Sequence, residues 1–328
     1  MMRHQILCLI KSNAKVPSDL FDTDQGVGPR GPAGLPEQSA ECPMIKSILV
    51  PATGQAFDDA VIETALRVAQ VTTAHIELCY LRTPSWDITD TPGYNAWAVG
   101  GAVAPALAQL DARAEQECGQ ARARFAEICR RKGVAVVEQA SAATCITASW
   151  READAQPDAL AYHAHHADLI VVGRQGHSNG LTRPQVDAIL SEGGRPLLIA
   201  GSMARSSITG TVFVCWKETP ESARAISAAL PLLQAAQRVV IAHVSEAAQP
   251  TPLGGVVRYL EHHGIGAEAR LLPRRGSVAD TLAAAADAHQ ADLVVLGAFG
   301  HSRARERAFG GCTRGFLADA RVPVLMMQ

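Results

Sequence analysis

The chain has 328 residues, of which 48% are hydrophobic, 19% are charged and only 5% are aromatic. This length predicts two domains, and the composition predicts cores of Ala, Val, Leu and Ile, as in parallel sheets covered by helices. The 30 basic and 32 acidic residues give a net charge of −2, which provides no long-range field to attract nucleic acid or an anionic membrane. The eight cysteines include no C-x-x-C pair, and no apolar run reaches the roughly 18 residues of a membrane span. We therefore expect a cytoplasmic protein with reduced thiols.

Residues 1–43 differ from the rest of the chain. Glycine and proline crowd this segment and no apolar periodicity runs through it, so we expect a disordered leader. Residues 26–31 match the dinucleotide fingerprint G-x-G-x-x-G. That motif requires a strand before it and a helix after it. Because Pro29 and Pro32 interrupt the segment, we reject a nucleotide site here.

From residue 44 onward, apolar runs alternate with helical patterns. In the first half, the sequence predicts strands near 46–51, 75–81, 134–140, 168–173 and 196–200, and helices near 58–70, 108–132, 147–163 and 184–192. These elements define a first domain over 44–204. It contains an insertion at 82–107 that is rich in Thr, Pro, Gly and Trp, which we interpret as a lid or a contact surface.

The second half follows the same order. The sequence predicts strands at 211–215, 238–244, 267–272, 292–297 and 323–327, and helices at 220–235, 253–263, 277–289 and 312–320. These elements define a second domain over 207–328.

The two halves contain an internal repeat. Residues 167–178 read Ala-Asp-Leu-Ile-Val-Val-Gly-Arg-Gln-Gly-His-Ser, and residues 291–302 read Ala-Asp-Leu-Val-Val-Leu-Gly-Ala-Phe-Gly-His-Ser. Continuous apolar strands that alternate with helices predict an α/β fold, with two tandem doubly wound, Rossmann-like domains that each contain a five-stranded parallel sheet. Such sheets bind ligands at the carboxyl ends of their strands, where the strand order reverses.

The second half also carries a glycine motif. Gly297-x-x-Gly300, nine further residues and Gly310 resemble the ATP-binding signature of the universal stress protein family, G-x-x-G, nine residues and G-[S/T]. The resemblance covers about residues 44–328. It implies a stress-response type regulatory module whose second domain binds ATP or a related adenine nucleotide, with magnesium. Independently of the resemblance, glycines after a strand and before a helix let backbone N–H groups approach a phosphate.

The resemblance also implies roles for single residues. It places the first glycine of the motif near ribose and the other two near phosphates, with basic and hydroxyl side chains of the same loop as partners for phosphate oxygens. The candidate cofactor-binding residues are Gly297, Gly300, His301, Arg303, Gly310, Gly311, Thr313 and Lys217. Gly311 replaces the Ser or Thr of the signature. Lys217 stands where the family carries an aspartate that faces the base, and lysine cannot accept a hydrogen bond from an adenine amino group.

The first half departs further from the signature. Gly173 and Gly176 remain, but Val186 and Asp187 replace the later glycine. A carboxylate at this position would repel phosphate. We therefore expect the first domain to be a structural partner that packs against the second as an intramolecular pseudo-dimer, burying the final strands of both. A homodimer of the whole chain is a further alternative.

Two other function classes stay open. The departures from the signature favour an interaction or scaffold protein of the same fold that binds no nucleotide. An enzyme is the weaker alternative, with His301 as a general base and slow ATP hydrolysis as its reaction; we identify no catalytic residue. We interpret His163, His165 and His166 as solvated side chains at a helix end and not as metal ligands. Cys312 is either a redox-sensitive thiol or a small residue in a tight turn.

Overall fold

The computed structural model describes residues 45–54, 58–82, 103–138, 145–173, 181–202, 207–245, 253–298, 315–316 and 321–328. The predicted leader, 1–43, lies outside the described residues. So does most of the predicted insertion at 82–107, whose last residues begin a helix.

Strands and helices alternate along the described chain. The strands are β1 Ser47–Ala52, β2 His75–Arg82, β3 Ala135–Val136, β4 Thr147–Asp154, β5 Leu169–Val172, β6 Leu197–Ile199, β7 Thr211–Cys215, β8 Arg238–Ser245, β9 Ala267–Pro273, β10 Leu293–Gly297 and β11 Val324–Met327. The helices are α1 Asp58–Thr72, α2 Val103–Lys132, α3 Pro157–Ala164, α4 Arg183–Glu192, α5 Pro220–Gln234, α6 Gly254–His262 and α7 Val278–Ala288.

All of these strands belong to one sheet. Its order is β3-β4-β2-β1-β5-β6-β11-β10-β7-β8-β9. Every neighbouring pair is parallel except β6 and β11, which run antiparallel with Leu198 opposite Leu325. Each half is doubly wound, because β1 lies between β2 and β5 in the first half and β7 lies between β8 and β10 in the second. The strand order therefore reverses between β1 and β5 in the first half and between β7 and β10 in the second.

The sequence prediction is wrong for the third strand of the first half. We predict a strand at 134–140 and a helix at 147–163, whereas residues 147–154 form β4 and pair with the whole of β2. Only Ala135 and Val136 form a short edge strand, β3. Residues 147–154 contain Ala, Arg and Glu, which favour helices in isolation. Burial of Thr147, Ala148 and Ser149 against β2 overrides that preference.

Apolar side chains cover both faces of the sheet. In β7, Val212 and Val214 contribute to a cluster with α1, α5 and α6, whereas Phe213 and Cys215 contribute to a cluster with α3, α4 and α7. Continuous burial of this kind is typical of parallel strands between two helical layers. It explains why the strands of the second half could be predicted to within one residue.

The repeated Ala-Asp dipeptide fixes the start of each half. Asp168 Oδ2 accepts hydrogen bonds from the backbone N–H groups of Lys46, at 2.8 Å, and Ser47, at 3.0 Å. In the second half, Asp292 Oδ2 accepts one from Thr211 N at 2.9 Å. Each aspartate therefore anchors the strand that opens its repeat, so this part of the repeated motif is structural.

Candidate functional site

The carboxyl ends of β7 and β10 form the candidate site. Leu296 pairs with Cys215, so the chain leaves both strands side by side, at the point where the strand order reverses. Crevices at such points are the usual ligand sites of open α/β sheets. We call Trp216–Thr219, Gly297 and the first turn of α5 the second crevice. The first crevice is the corresponding edge of the first half, at the carboxyl ends of β1, β2 and β5.

The segment after β7 is held at three points. Trp216 N donates to Ala242 O at 2.8 Å, and His243 Nδ1 donates to the Trp216 carbonyl at 3.0 Å. Thr219 N donates to Lys217 O at 2.8 Å. Lys217 therefore lies between two anchored residues, and its side chain is exposed. His243 is not among the predicted site residues. The sequence feature that could indicate it is a polar residue near the end of an otherwise apolar strand.

Gly297 packs against the first turn of α5. A Cβ atom added at Gly297 would lie 2.6 Å from the backbone nitrogen of Ser222 and 2.8 Å from the carbonyl carbon of Glu221. No side chain fits at that distance, so glycine is required here for contact between strand and helix. This role in packing is independent of the role near ribose that the resemblance implies.

The N-terminus of α5 has its own polar partners. Thr219 Oγ1 accepts a hydrogen bond from Ser222 N at 3.4 Å. Glu221 Oε1 lies 3.2 Å from an Arg224 nitrogen, and Glu221 Oε2 is buried without a hydrogen-bond donor in the described part of the chain. An acidic side chain suits a helix N-terminus, but it would repel a phosphate bound there. This end of the crevice therefore suits uncharged parts of a ligand.

Two of the predicted site residues lie in the described part of the chain. Lys217 and Gly297 follow and end neighbouring strands, so the fold brings them to the same crevice. The other candidates, Gly300, His301, Arg303, Gly310, Gly311 and Thr313, lie outside the described residues, as does Cys312.

Among the described residues, aromatic side chains of β2, β4 and α2 pack on the β2 side of the first crevice. A Cβ atom added at Gly54 would lie 3.2 Å from the Tyr80 ring and 3.5 Å from Cβ of Ala121. The rings of Tyr80 and Trp150 stack with their centroids 5.6 Å apart, and Phe125 packs at 6.0 Å from Trp150. The cavity lined by Gly54, Phe125 and Trp150 holds about 10 Å³, close to the smallest volume that takes one water molecule.

Helix α2 packs over this crevice, and the described part of the second half contains no equivalent of its N-terminal extension. Gly133 ends α2 and Gly264 ends α6, each in a left-handed turn, with φ of 68° and 72°. Counted back from these glycines, Phe125 of α2 and Val256 of α6 occupy equivalent positions. From that point α2 extends much further toward its N-terminus than α6, with 30 residues against 9. Arg124 of α2 contacts both carboxylate oxygens of Asp59 at the start of α1, at 2.7 and 2.9 Å.

Helix α4 of the first half caps its own N-terminus. Thr182 and Gln185 form a capping box, in which each side chain binds the backbone N–H of the other residue. Gln185 Nε2 also donates to the carbonyl of Ala155 after β4. Asp187 lies in the second turn and is exposed. The N–H groups at the start of this helix are therefore partly hydrogen-bonded within the chain. Both this capping and the predicted repulsion by Asp187 disfavour a phosphate at this helix.

The histidines around α3 make local hydrogen bonds. His165 Nε2 lies 2.9 Å from Glu192 O, and His166 Nδ1 lies 3.1 Å from Tyr162 O.

His75, at the start of β2, lies between Thr147 Oγ1, at 2.8 Å, and Ser149 Oγ, at 2.9 Å. Burial lowers the pKa of His75 and opposes the smaller effect of Glu77. Among the described residues, no three His, Cys, Asp or Glu side chains gather as a metal site would need.

Five cysteines lie in the described ranges, and all five are free thiols. Burial raises the pKa of Cys79 to about 12 and the pKa of Cys118 and Cys129 to about 11. The thiolate is the reactive form of cysteine, so burial makes these three thiols less reactive than an exposed cysteine. None of the helices in the described part of the chain combines the length and the apolar composition of a membrane span.

Comparison with known proteins identifies the second half. The sequence profile of the Universal stress protein family matches residues 209–328. No curated protein matches the sequence. The solved structure of a universal stress protein from Archaeoglobus fulgidus covers 87% of this chain and 97% of that chain, with 16% identity and a TM-score of 0.65.

Two further solved structures are more distant. A protein of unknown function from Pseudomonas aeruginosa covers 86% of this chain and 92% of that chain, with 17% identity and a TM-score of 0.49. A universal stress protein solved in complex with cAMP covers 37% of this chain and 99% of that chain, with 20% identity and a TM-score of 0.31. At these identities the likeness concerns the fold, and of the three structures only the Archaeoglobus fulgidus protein supports it over both halves. The second half of the chain, residues 209–328, is therefore a universal stress protein domain.

Proposed function

We propose that the chain is a nucleotide-responsive regulatory module that binds one nucleotide in the second crevice. The observation that carries the proposal is the meeting of Gly297, Lys217 and the first turn of α5 where the strand order reverses, inside a universal stress protein domain. The phosphates would bind the glycine-containing loop after β10, which includes Gly300 and Gly310. ATP with magnesium, which the resemblance implies, is the first ligand to test.

The first half serves in this proposal as a structural partner. Among the described residues, Tyr80, Trp150 and Phe125 pack on the β2 side of its crevice, and Thr182 and Gln185 cap its helix α4. The antiparallel pairing of β6 with β11 supports an intramolecular pseudo-dimer. We place the protein in the cytoplasm, in keeping with its free cysteines. In this proposal, nucleotide binding changes a surface that binds another molecule. Any ATP hydrolysis is slow.

A matched pair of variants tests the proposal. Gly300→Asp places a carboxylate in the proposed phosphate loop, and Gly176→Asp makes the same change at the equivalent glycine of the first half. We expect saturable heat in an isothermal titration of the wild-type chain with ATP and magnesium. Gly300→Asp should abolish this heat and Gly176→Asp should retain it. If both variants bind ATP as the wild type does, the second crevice is not the site.

An interaction protein without a nucleotide is the second candidate function. One observation favours it: α2 is exposed along its N-terminal half, where Leu110 has 42% of its surface accessible. An exposed helix next to a long insertion suits contact with another protein. No heat and no thermal shift with millimolar ATP would favour this candidate over the nucleotide module.

A further inference from the structure

We propose that the chain forms a dimer with a second copy of itself through β9, the edge strand of the second half. Two copies of β9 would pair antiparallel about a two-fold axis at Ala269 and join two sheets into one. The proposal goes beyond the proposed function, because β8 separates β9 from the strands of the second crevice and the interface needs no nucleotide.

One side of β9 has no partner strand in the described part of the chain. β9 is the last strand of the sheet, and β8 pairs with it over its whole length, Ala267–Pro273. Every residue of β9 is exposed or half-buried, and Leu271 has 49% of its surface accessible. The N–H and C=O groups along such an edge are available to another strand. At the other end of the sheet, β3 has only two residues and offers no comparable edge.

The side chains of β9 alternate between two faces. Ala267 packs on the cluster that includes α6, and Leu272 packs on the cluster that includes α7. Successive residues of a strand point to opposite faces. Leu271 therefore lies on the α6 face, whereas Glu268 and Arg270 lie together on the α7 face.

The charges of β9 are symmetric about Ala269, with Glu268 before it and Arg270 after it. In an antiparallel pair centred on Ala269, each Glu268 lies opposite Arg270 of the second copy. Leu271 then lies opposite Ala267, so the pair also covers an exposed apolar side chain. Opposite charges directly across two strands are favourable, and like charges are destabilising. The strand is therefore complementary to itself in this register.

Neighbouring registers lack this complementarity. A centre at Glu268 or at Arg270 places that residue opposite itself, and a parallel pair in register does the same for both. Within one chain, Glu268 accepts from Arg238 of β8 at 2.8 and 3.0 Å and from Arg270 at 2.8 Å. These contacts hold the carboxylate on the α7 face, where the pair adds Arg270 of the second copy. The interface joins only two sheet edges, so we expect a reversible dimer.

Charge reversal tests the interface and its register. Sedimentation velocity of the full-length chain should show a dimer whose share rises with protein concentration. Arg270→Glu and Glu268→Arg each place like charges opposite one another, so each should weaken association by at least about tenfold. An equimolar mixture of the two variants restores opposite charges at both positions and should form a heterodimer. Arg122→Glu, a charge reversal on the exposed side of α2, should dimerise as the wild type does.

A cysteine at the axis gives a second readout that leaves the charges unchanged. Directly opposite residues have Cα atoms about 4.5–5.5 Å apart, within the range that a disulfide spans. Ala269→Cys should therefore cross-link two chains under mild oxidation. Leu271→Cys is the control on the same exposed strand, because its two copies would lie about 13 Å apart. Both variants also carry Cys145→Ser, since Cys145 is exposed.

Three results would overturn the proposal. A wild-type chain that stays monomeric at every soluble concentration excludes the dimer. A dimer that persists in both charge variants uses another surface. Equal cross-linking in Ala269→Cys and Leu271→Cys excludes the register. Circular dichroism checks that Glu268→Arg, which places a charge next to Arg238, leaves the fold intact; if that variant unfolds, Arg270→Glu and the two cysteine variants decide.

Discussion

The backbone nitrogen of Ser222 packs directly against Gly297. It lies only 2.6 Å from the position that a Cβ atom at residue 297 would take. We expect Gly297→Ala to push α5 away from β10 and to cost about 1–3 kcal/mol of the free energy of unfolding. Nucleotide affinity in the second crevice should fall with it. Urea denaturation measures the first effect and calorimetric titration the second.

The control is Gly255→Ala in α6, where an added Cβ meets no atom within 4 Å. Alanine favours a helix over glycine by up to about 1 kcal/mol, so this variant should be as stable as the wild type or more stable. Equal stability of Gly297→Ala and Gly255→Ala would contradict the packing described between β10 and α5.

Gly201 has the same role at the junction of the two repeats. A Cβ atom there would lie 2.6 Å from Arg321 O and 2.7 Å from Val322 C, where the chain enters β11. Gly201→Ala should therefore separate β6 from β11 and destabilise the chain by about 1–3 kcal/mol. Gly266→Ala, which meets no atom within 4 Å, is the control. An unchanged denaturation midpoint in Gly201→Ala would argue against the antiparallel junction.

Protonation of His75 should destabilise the fold. Burial is the main cause that lowers its pKa in the folded chain, whereas the unfolded chain titrates near the ordinary value of about 6.5. Between these two pKa values the unfolded chain binds more protons, so the stabilising contribution is complete above about pH 6.5 and is lost as the pH falls below it. His163, whose pKa burial also lowers, acts in the same direction.

The measurement is the free energy of unfolding between about pH 5 and pH 7.5, the range in which histidine titrates. His75→Gln should reduce the slope of stability against pH. His262→Gln, an exposed residue at the end of α6, should retain the full slope. A wild-type chain that is equally stable at both ends of this range would contradict the prediction.

Tryptophan fluorescence can distinguish the two crevices. Trp216 lines the second crevice, and Trp150 stacks on Tyr80 at the first crevice. The other two tryptophans, Trp86 and Trp97, lie in the insertion and are replaced by Phe for this test. If nucleotide enters only the second crevice, a fluorescence change on binding should then persist in Trp150→Phe and disappear in Trp216→Phe. The reverse pattern would place the ligand in the first half.

The sequence predicts the second half better than the first for a physical reason. β7, β8 and β10 are buried on both sides, so their apolar runs are unambiguous, and the repeated Ala-Asp and glycine positions locate them. β4 has buried residues only at its start, and the rest of it is rich in helix-forming residues, so its periodicity misleads. Tertiary pairing with β2, which no local pattern contains, determines its structure.

Prediction of the site is partial for a similar reason. The glycine motif and the strand order predict the second crevice as the site, and Lys217 enters that prediction through the resemblance, at the place of the family's aspartate. That Gly297 packs on α5, and that α2 packs over the first crevice, depends on contacts between residues far apart in the sequence. The ion pair between Arg124 and Asp59 is an example. In the sequence, both residues look like ordinary charged surface residues, and nothing indicates that they pair.

The number of nucleotides bound per chain tests the central claim most directly. Equilibrium titration of the full-length wild-type protein, and of its Gly300→Asp and Gly176→Asp variants, with ATP and magnesium measures this number. One site per chain, lost in Gly300→Asp and kept in Gly176→Asp, is the result that the account predicts. Two sites per chain would show that the first crevice opens to ligand, and binding that survives Gly300→Asp would contradict the assignment to the second.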